Sequence, residues 1–302
     1  MDDVGVVYLA HRSAGAKAVE RFLASYTAHP AGADHELVVL LKGSPEFASV
    51  LASAPPHRTL VVPDEGLDIG SYLFAAQTLE HRFVCFLNSH SVLASDDWLA
   101  KLSGPVTEGA AALAGASGSY ASLRSLSLYR LGLPSPYARV FPGRATTERE
   151  LLRLELAQAP ASPRARWSAG RRRLEDVLVL AQTLRGFGAF PAPHLRTNAF
   201  LLARETFLLT ARQPRGKFDA WRFESGRRSL SAVAGPAVVV GADGSAYAPE
   251  DWPHSGTFWQ DEQENLLVAD NQTRLYDEGD AGRRELLARL AWGPDARAAP
   301  SR

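Results

Sequence analysis

Four short, unbroken apolar runs within the first ninety residues restrict this chain to few architectures. They lie at residues 4–10, 37–41, 59–62 and 83–87 (VGVVYLA, LVVLL, TLVV and FVCFL). Each is too short for a core helix and lacks the alternation of a half-exposed strand. That is the pattern of a strand covered on both faces of a parallel sheet. Between the runs, Val19, Phe22, Leu23 and Tyr26, and then Ile69, Tyr72, Leu73, Ala76 and Leu79, recur at helical spacing. Ser13 and Asp68 stand where N-caps belong. The alternation predicts an α/β chain with right-handed crossovers: a mostly parallel central sheet with helices on both faces.

Further strands are predicted at residues 110–116, 195–203 and 237–240. Thr147 and Glu150 form a capping-box pattern for a helix running to about residue 158. A second helix is predicted over 174–184 and ends at Gly186 and Gly188. The pair reads as a helical insertion, spanning about residues 118–190, that covers one side of the sheet. A short helix is predicted over 226–234, closed by Gly235. Residues 1–270 read as one domain and 271–302 as a tail with one amphipathic helix around 286–290.

Charge and cysteine usage narrow the class of partner. Lys+Arg and Asp+Glu both number 33, so no net charge draws the chain to nucleic acid or an acidic membrane. Only four of the basic residues are lysines (Lys17, Lys42, Lys101 and Lys217). Cys85 is the one cysteine and lies inside an apolar run, where it reads as a small core residue. No disulfide framework forms within such a chain, which suits a reducing compartment. Met1-Asp2-Asp3 and the seven apolar residues after it do not make a signal peptide, and no run reaches the ~18 residues of a membrane span. The expectation is a cytoplasmic protein without a transmembrane segment.

In parallel sheets of this kind ligands bind beyond the carboxyl ends of the strands. The polar residues there are His11-Arg12, Lys42-Gly43-Ser44, Asp64-Glu65 and Asn88-Ser89-His90. Gly66-Leu67-Asp68-Ile69-Gly70-Ser71-Tyr72 resembles the GxDxGSY segment of rhamnan-synthesis-type and family 2-like polysaccharide glycosyltransferases. Phe86-Leu87-Asn88-Ser89-His90, with Trp98-Leu99 after it, resembles the FLDSH…WL segment of polypeptide N-acetylgalactosaminyltransferases. Thr197-Asn198-Ala199-Phe200-Leu201-Leu202 is similar to the acceptor-side strand of that superfamily. Phe223-Glu224-Ser225-Gly226 falls at the place of its ED or GGEN motif, and His254-Ser255-Gly256 resembles its later histidine segment.

The resemblance implies a Rossmann-like GT-A fold and transfer of a sugar from a nucleotide-diphosphate donor to a glycan or lipid-linked acceptor. It implies donor contacts at His11, Arg12, Asp64, Asp68, Gly70, Asn88 and Ser89, and a divalent metal, Mn2+ or Mg2+, held by His90 and His254. It implies an acceptor contact at Asn198 and a catalytic base at Glu224. Trp221, Trp252, Phe258 and Trp259 lie in the same C-terminal half, and their aromatic faces suit an acceptor sugar, with Trp221 and Trp252 the expected contacts. One departure stands out: Asn88 occupies the first position of the metal-binding D-x-D/H motif, so the site lacks a carboxylate that would strengthen ion binding.

Plainer roles stand beside these. Asp68 reads equally as an N-cap, His90 as a polar strand end, and Asp96 and Asp97 as a cap and first-turn charge. Each Trp reads as core. The run Arg164, Arg166, Arg171, Arg172 and Arg173 reads as a solvated helix face, and Asn271-Gln272-Thr273 as an unused glycosylation sequon. The overall pattern is nearer to inverting enzymes, whereas the Asn88-Ser89-His90 segment is nearer to a retaining family. Asn88 also motivates a different reading, a GT-A domain that has lost catalysis and serves as a sugar-nucleotide-binding or scaffold module.

Overall fold

In β1 (Val4–His11), Val7 and Leu9 enter one hydrophobic core while Val6, Tyr8 and Ala10 enter a second. A strand with two-residue side-chain periodicity must divide in this way when both faces are covered. The structure, a computed structural model, describes residues 3–43, 47–141 and 180–294. Its strands continue with β2 (Glu36–Lys42), β3 (Arg58–Val62), β4 (Phe83–Leu87), β5 (Val92–Leu93), β6 (Leu113–Gly115) and β7 (Gly118–Ser119). They end with β8 (His194–Leu195), β9 (Ala199–Ala203), β10 (Ala237–Val240), β11 (Ala246–Tyr247) and β12 (Val268–Ala269).

Eight of these form the central sheet in the order β11-β10-β6-β9-β4-β1-β2-β3. β1 pairs in parallel with β2 and β4, β2 with β3, and β6 with β10. β9 runs antiparallel between β4 and β6, and β11 antiparallel at the edge. The mostly parallel, helix-flanked α/β sheet expected from the apolar runs is what forms. All four runs are strands, β4 with the same bounds and the others one residue longer at one or both ends. However, β3 is not covered on both faces as expected: it is the edge strand, Val61 is 75% exposed and only Val62 is buried. The expected strand at 195–203 is two strands, because Arg196, Thr197 and Asn198 form a turn that delivers side chains to the cleft described below.

The helices α1 (Ala16–Ala28), α2 (Ala48–Leu51), α3 (Leu67–Thr78) and α4 (Trp98–Thr107) follow the first strands. Neither expected N-cap forms. Gly15, at φ 76°, caps α1 without a side-chain bond, and Ser13 instead bonds His11 Nδ1. Gly66, also at φ 76°, caps α3, so Asp68 sits in the first turn with its carboxylate uncommitted to the backbone. Asp97 does hold the cap position of α4, but makes no capping bond. Asp96 bonds His29 at 2.8 Å.

Where a helix was expected over 226–234, only Leu230–Val233 is helical, preceded by the helix Lys217–Ser225. The amphipathic segment near 286–290 belongs to the helix Ala281–Trp292. Leu286, Leu287, Ala291 and Trp292 of that helix are buried in the first core. Thr273 of the sequon is buried in a capping box with Asp270 at the start of the helix Asn271–Asp277. Cys85 is fully buried in β4, and burial pushes its thiol pKa up, which keeps it inert. The capping-box helix at 147–158, most of the helix at 174–184 and the five arginines between them lie outside the described residues. Among the described residues no helix is long and apolar enough to cross a membrane.

Candidate active site

β1 and β2 end at His11 and Lys42, and Asp64 and Asn88 follow the ends of β3 and β4, so four strand ends open onto one cleft. His11 Nδ1 accepts the Ser13 N–H at 3.0 Å, which leaves the proton on Nε2, 3.8 Å from an oxygen of Asp64. Lys42 is 1% exposed and donates to the carbonyls of Glu65 at 3.1 Å and Leu67 at 2.5 Å. It thereby fixes the loop that leads into Asp68. Burial lowers the Lys42 ammonium pKa, and the carboxylates of Asp68 and Asp64 oppose that shift.

Asp68 is the electrostatic centre of the cleft. It keeps solvent-accessible surface, yet protein surrounds it closely enough that desolvation raises its carboxyl above the ordinary Asp value. His11, Lys42 and His90 oppose the rise and Glu224 adds to it. Asp68 accepts no hydrogen bond from the described residues, so its acceptor oxygens face the cleft. A raised native pKa means that the ionised form costs stability. The cost is absent below the unfolded Asp value and grows as pH rises from there through the native value. Asp68→Asn is therefore expected to leave thermal stability near pH 7 unchanged or slightly higher. A clear loss of stability would mean that the carboxylate is a structural cap after all.

Glu224 enters from the opposite side, on the last turn of the helix Lys217–Ser225. Its Oε2 accepts the Thr197 N–H at 3.0 Å and a short bond from the Thr197 hydroxyl. Both bonds fall on one oxygen, which orients the carboxylate and leaves Oε1 to take a proton. His194 lies close enough for Glu224 to act on its titration; burial, the larger effect, lowers the His194 pKa. Trp221, one turn earlier on the same helix, is 41% exposed and carries the Lys217 ammonium 5.1 Å from its ring.

The sheet order, with an antiparallel strand between β4 and β6, places this cleft above the carboxyl ends of β1, β2 and β4. This is the mixed, mostly parallel sheet flanked by helices that the GT-A resemblance implies. Several solved structures are similar to part of this fold. S. aureus TarS, residues 1–349, is similar over 37% of this chain and 34% of its own, at 16% identity and TM-score 0.30. The mannosyltransferase PcManGT from Pyrobaculum calidifontis, with GDP-Man and Mn2+, is similar over 38% of this chain and 35% of its own, at 14% identity and TM-score 0.32. Glucosyl-3-phosphoglycerate synthase from Mycobacterium tuberculosis, with Mn2+, UDP and glucosyl-3-phosphoglycerate, is similar over 68% of this chain and 58% of its own, at 17% identity and TM-score 0.35. The chain thus spans about a third of the first two and less than two thirds of the third. No family profile and no curated protein matches the chain.

Several residues expected in the GT-A site are committed elsewhere. Trp252 is 1% exposed, with its indole N–H on the Tyr247 carbonyl, so neither ring face can meet a sugar. Phe258 and Trp259 are buried and stacked on each other, with the Arg196 guanidinium 4.1 Å from the Phe258 ring centre. Asn198 is buried; its amide oxygen accepts from Ser117, its carbonyl accepts the Asn88 N–H, and its amide nitrogen has no partner. It braces the end of β4. At Gly70 a Cβ would lie 3.0 Å from the Gln213 amide, and at Gly66 only 2.2 Å. These glycines admit Gln213, and that close approach accounts for Gly70. Ser89 is buried, with its carbonyl accepting the Tyr8 hydroxyl. Arg12 is exposed at the mouth.

The side chains present do not fit the divalent ion that the resemblance implies. The Asn88 amide oxygen already accepts the His90 N–H at 2.9 Å and the Ser91 hydroxyl at 3.2 Å, so its acceptor capacity is used within the turn. His254 is exposed at the end of a 3-10 turn, and no group of three or more His, Cys, Asp or Glu among the described residues can hold a metal. Arg274 lies against His90, its guanidinium 3.4 Å from the His90 carbonyl. His90 itself is held toward the neutral form, first by burial and then by Arg274, against the pull of Asp270 and Asp68. Arg21 on α1 acts on both His90 and Arg274. Lys42 was visible as a strand-end residue, whereas Arg274 and His194 have no local signal in the sequence.

Proposed function

We propose that the chain is a nucleotide-sugar-dependent glycosyltransferase whose cleft uses side-chain cations around the donor diphosphate. The observation that carries this reading is the convergence on Asp68 of His11, Lys42 and His90 from three strand ends and of Glu224 from the facing helix. Asp64 and Asp68 offer acceptor oxygens to a nucleoside, and Arg12, Arg21 and Arg274 offer charge to a leaving diphosphate. Glu224 Oε1 takes the proton from an acceptor hydroxyl. The hydroxyl oxygen bonds to the anomeric carbon, and the bond from that carbon to the diphosphate breaks with its electron pair, giving inversion. The exposed Trp221, on the same side of its helix as Glu224, offers an acceptor sugar an aromatic face. Synthesis of a surface polysaccharide in the cytoplasm is the setting that suits a chain with one buried cysteine and no spanning helix among the described residues.

The test is a thermal-shift screen of UDP-, GDP-, dTDP- and CDP-sugars, each with Mn2+ and with EDTA. A donor at 100 times its dissociation constant adds about 2.7 kcal/mol of apparent stability. One nucleotide class is expected to respond, equally with EDTA and with Mn2+. Silence toward all four sinks the transferase reading, and a response confined to Mn2+ returns a metal to the site. A second reading, a sugar-nucleotide-binding or scaffold module without catalysis, draws on the commitment of Asn88 to its own turn. It predicts the same thermal shift with no sugar released or transferred.

A further inference from the structure

Beside the cleft lies a second cavity of about 640 Å³, lined by six arginines, Arg185, Arg212, Arg215, Arg222, Arg227 and Arg228, and a single acid, Asp219. In a chain whose charges balance overall this is a pronounced local excess. Its volume falls within the roughly 300–1,000 Å³ of small-molecule sites. Two of the arginines are anchored: Arg212 donates to the Leu209 and Ala211 carbonyls, and Arg227 to the Phe187 carbonyl. The side chains of Arg185, Arg215, Arg222 and Arg228 form no ion pair among the described residues. Asp219 accepts the Arg215 backbone N–H.

Ile69 and Phe223 line the cavity, and their chain neighbours are Asp68 and Glu224. Gln213, which packs on Gly66 and Gly70 at the start of α3, lines it as well. An anion held here would sit against the helix that carries Glu224, the carboxylate proposed to accept the acceptor's proton.

We propose that this cavity binds a phosphoryl group of the acceptor, so that the acceptor is a phosphorylated molecule rather than a neutral sugar. The assignment of that ligand as acceptor rests on the transferase reading above. Guanidinium groups meet phosphate oxygens in paired hydrogen bonds, and several around one concavity select a multiply charged oxyanion. The phosphoryl group belongs either to a soluble phosphomonoester or to a lipid headgroup.

The probe is inorganic pyrophosphate, titrated by calorimetry into the full chain, into the Arg222→Glu/Arg228→Glu variant and into Arg274→Glu. Arg222 and Arg228 are exposed and make no side-chain hydrogen bond among the described residues, so the double variant should keep the wild-type melting temperature. Binding at the cavity is expected to weaken about tenfold or more in the double variant, to persist in Arg274→Glu, and to fall with added salt. Wild-type affinity in the double variant, or loss confined to Arg274→Glu, overturns the proposal. Competition by glycerol 3-phosphate assigns a soluble source. Flotation with phosphatidic acid in phosphatidylcholine vesicles, lost in the double variant, assigns a lipid source. A nucleotide-sugar response without pyrophosphate binding defeats this inference alone. Pyrophosphate binding at the cavity without any nucleotide-sugar response defeats the transferase reading and, with it, the acceptor assignment.

Discussion

Glu224→Gln is expected to abolish sugar transfer while leaving the thermal response to the donor in place. The amide keeps the size of the carboxylate, and its oxygen can still accept from Thr197, so the helix Lys217–Ser225 and the turn before β9 should hold their positions. What is lost is the ability to take a proton from an acceptor hydroxyl. General-base catalysis of this kind is worth on the order of 10²–10⁴ in rate. The donor is proposed to lie over the strand ends, where Glu224 is not among the contacts, so its affinity should change little. The measurements are single-turnover transfer and nucleotide-sugar thermal shift on the same preparation. Transfer near the wild-type rate would remove Glu224 as the base and point to the buried His194 beside it. Equal loss of donor binding would mean that the variant disturbs the cleft rather than a proton transfer.

Asp270→Ala is expected to be the most destabilising single change in the site region, by about 3–5 kcal/mol. Asp270 is 0% exposed and pairs with Arg196 at 2.7 Å, while its other oxygen accepts the N–H groups of Gln272 and Thr273, each at 2.9 Å. Removing it strands a guanidinium that is only 12% exposed and frees two N–H groups at the start of the helix Asn271–Asp277. A buried cation without a partner dominates that sum, with the lost cap contributing about 1 kcal/mol. In a chain of this size the melting temperature should drop on the order of 6–10 °C. Because Arg274 rides on the same helix, donor affinity should fall with stability. Asp270→Asn keeps the cap oxygen and should lose less. If Asp270→Ala costs under about 1 kcal/mol in urea unfolding, the pair is not holding the helix to the cleft.

The sequence by itself determined the strands and the edge at which they are functional. Apolar runs such as 37–41 and 83–87 fit only a sheet covered on both sides, and the residues after them, His11, Lys42, Asp64 and Asn88, could be placed at its carboxyl edge from order alone. These are properties of neighbours in the chain, and periodicity records them. Caps were less legible: a glycine at positive φ displaced Ser13 and Asp68 from the positions their chemistry favours, and so left Asp68 free to face the cleft.

Only the tertiary structure decided which aromatics are surfaces and which are core. Trp221 and Trp252 look alike in sequence, yet one is exposed on a helix and the other fully covered by the sheet it packs on. Tertiary structure alone also brought Arg274 against His90, Thr197 under Glu224, and six arginines from three separate segments around one cavity. Desolvation and Coulomb forces depend on distance through space, and residues as far apart as 90 and 274 have no shared pattern along the chain. The Asn88-Ser89-His90 segment shows the division most clearly: sequence places it at the end of β4 and marks the missing carboxylate. The fold adds that the Asn88 oxygen is used by its own turn and that the Arg274 guanidinium lies against the His90 carbonyl.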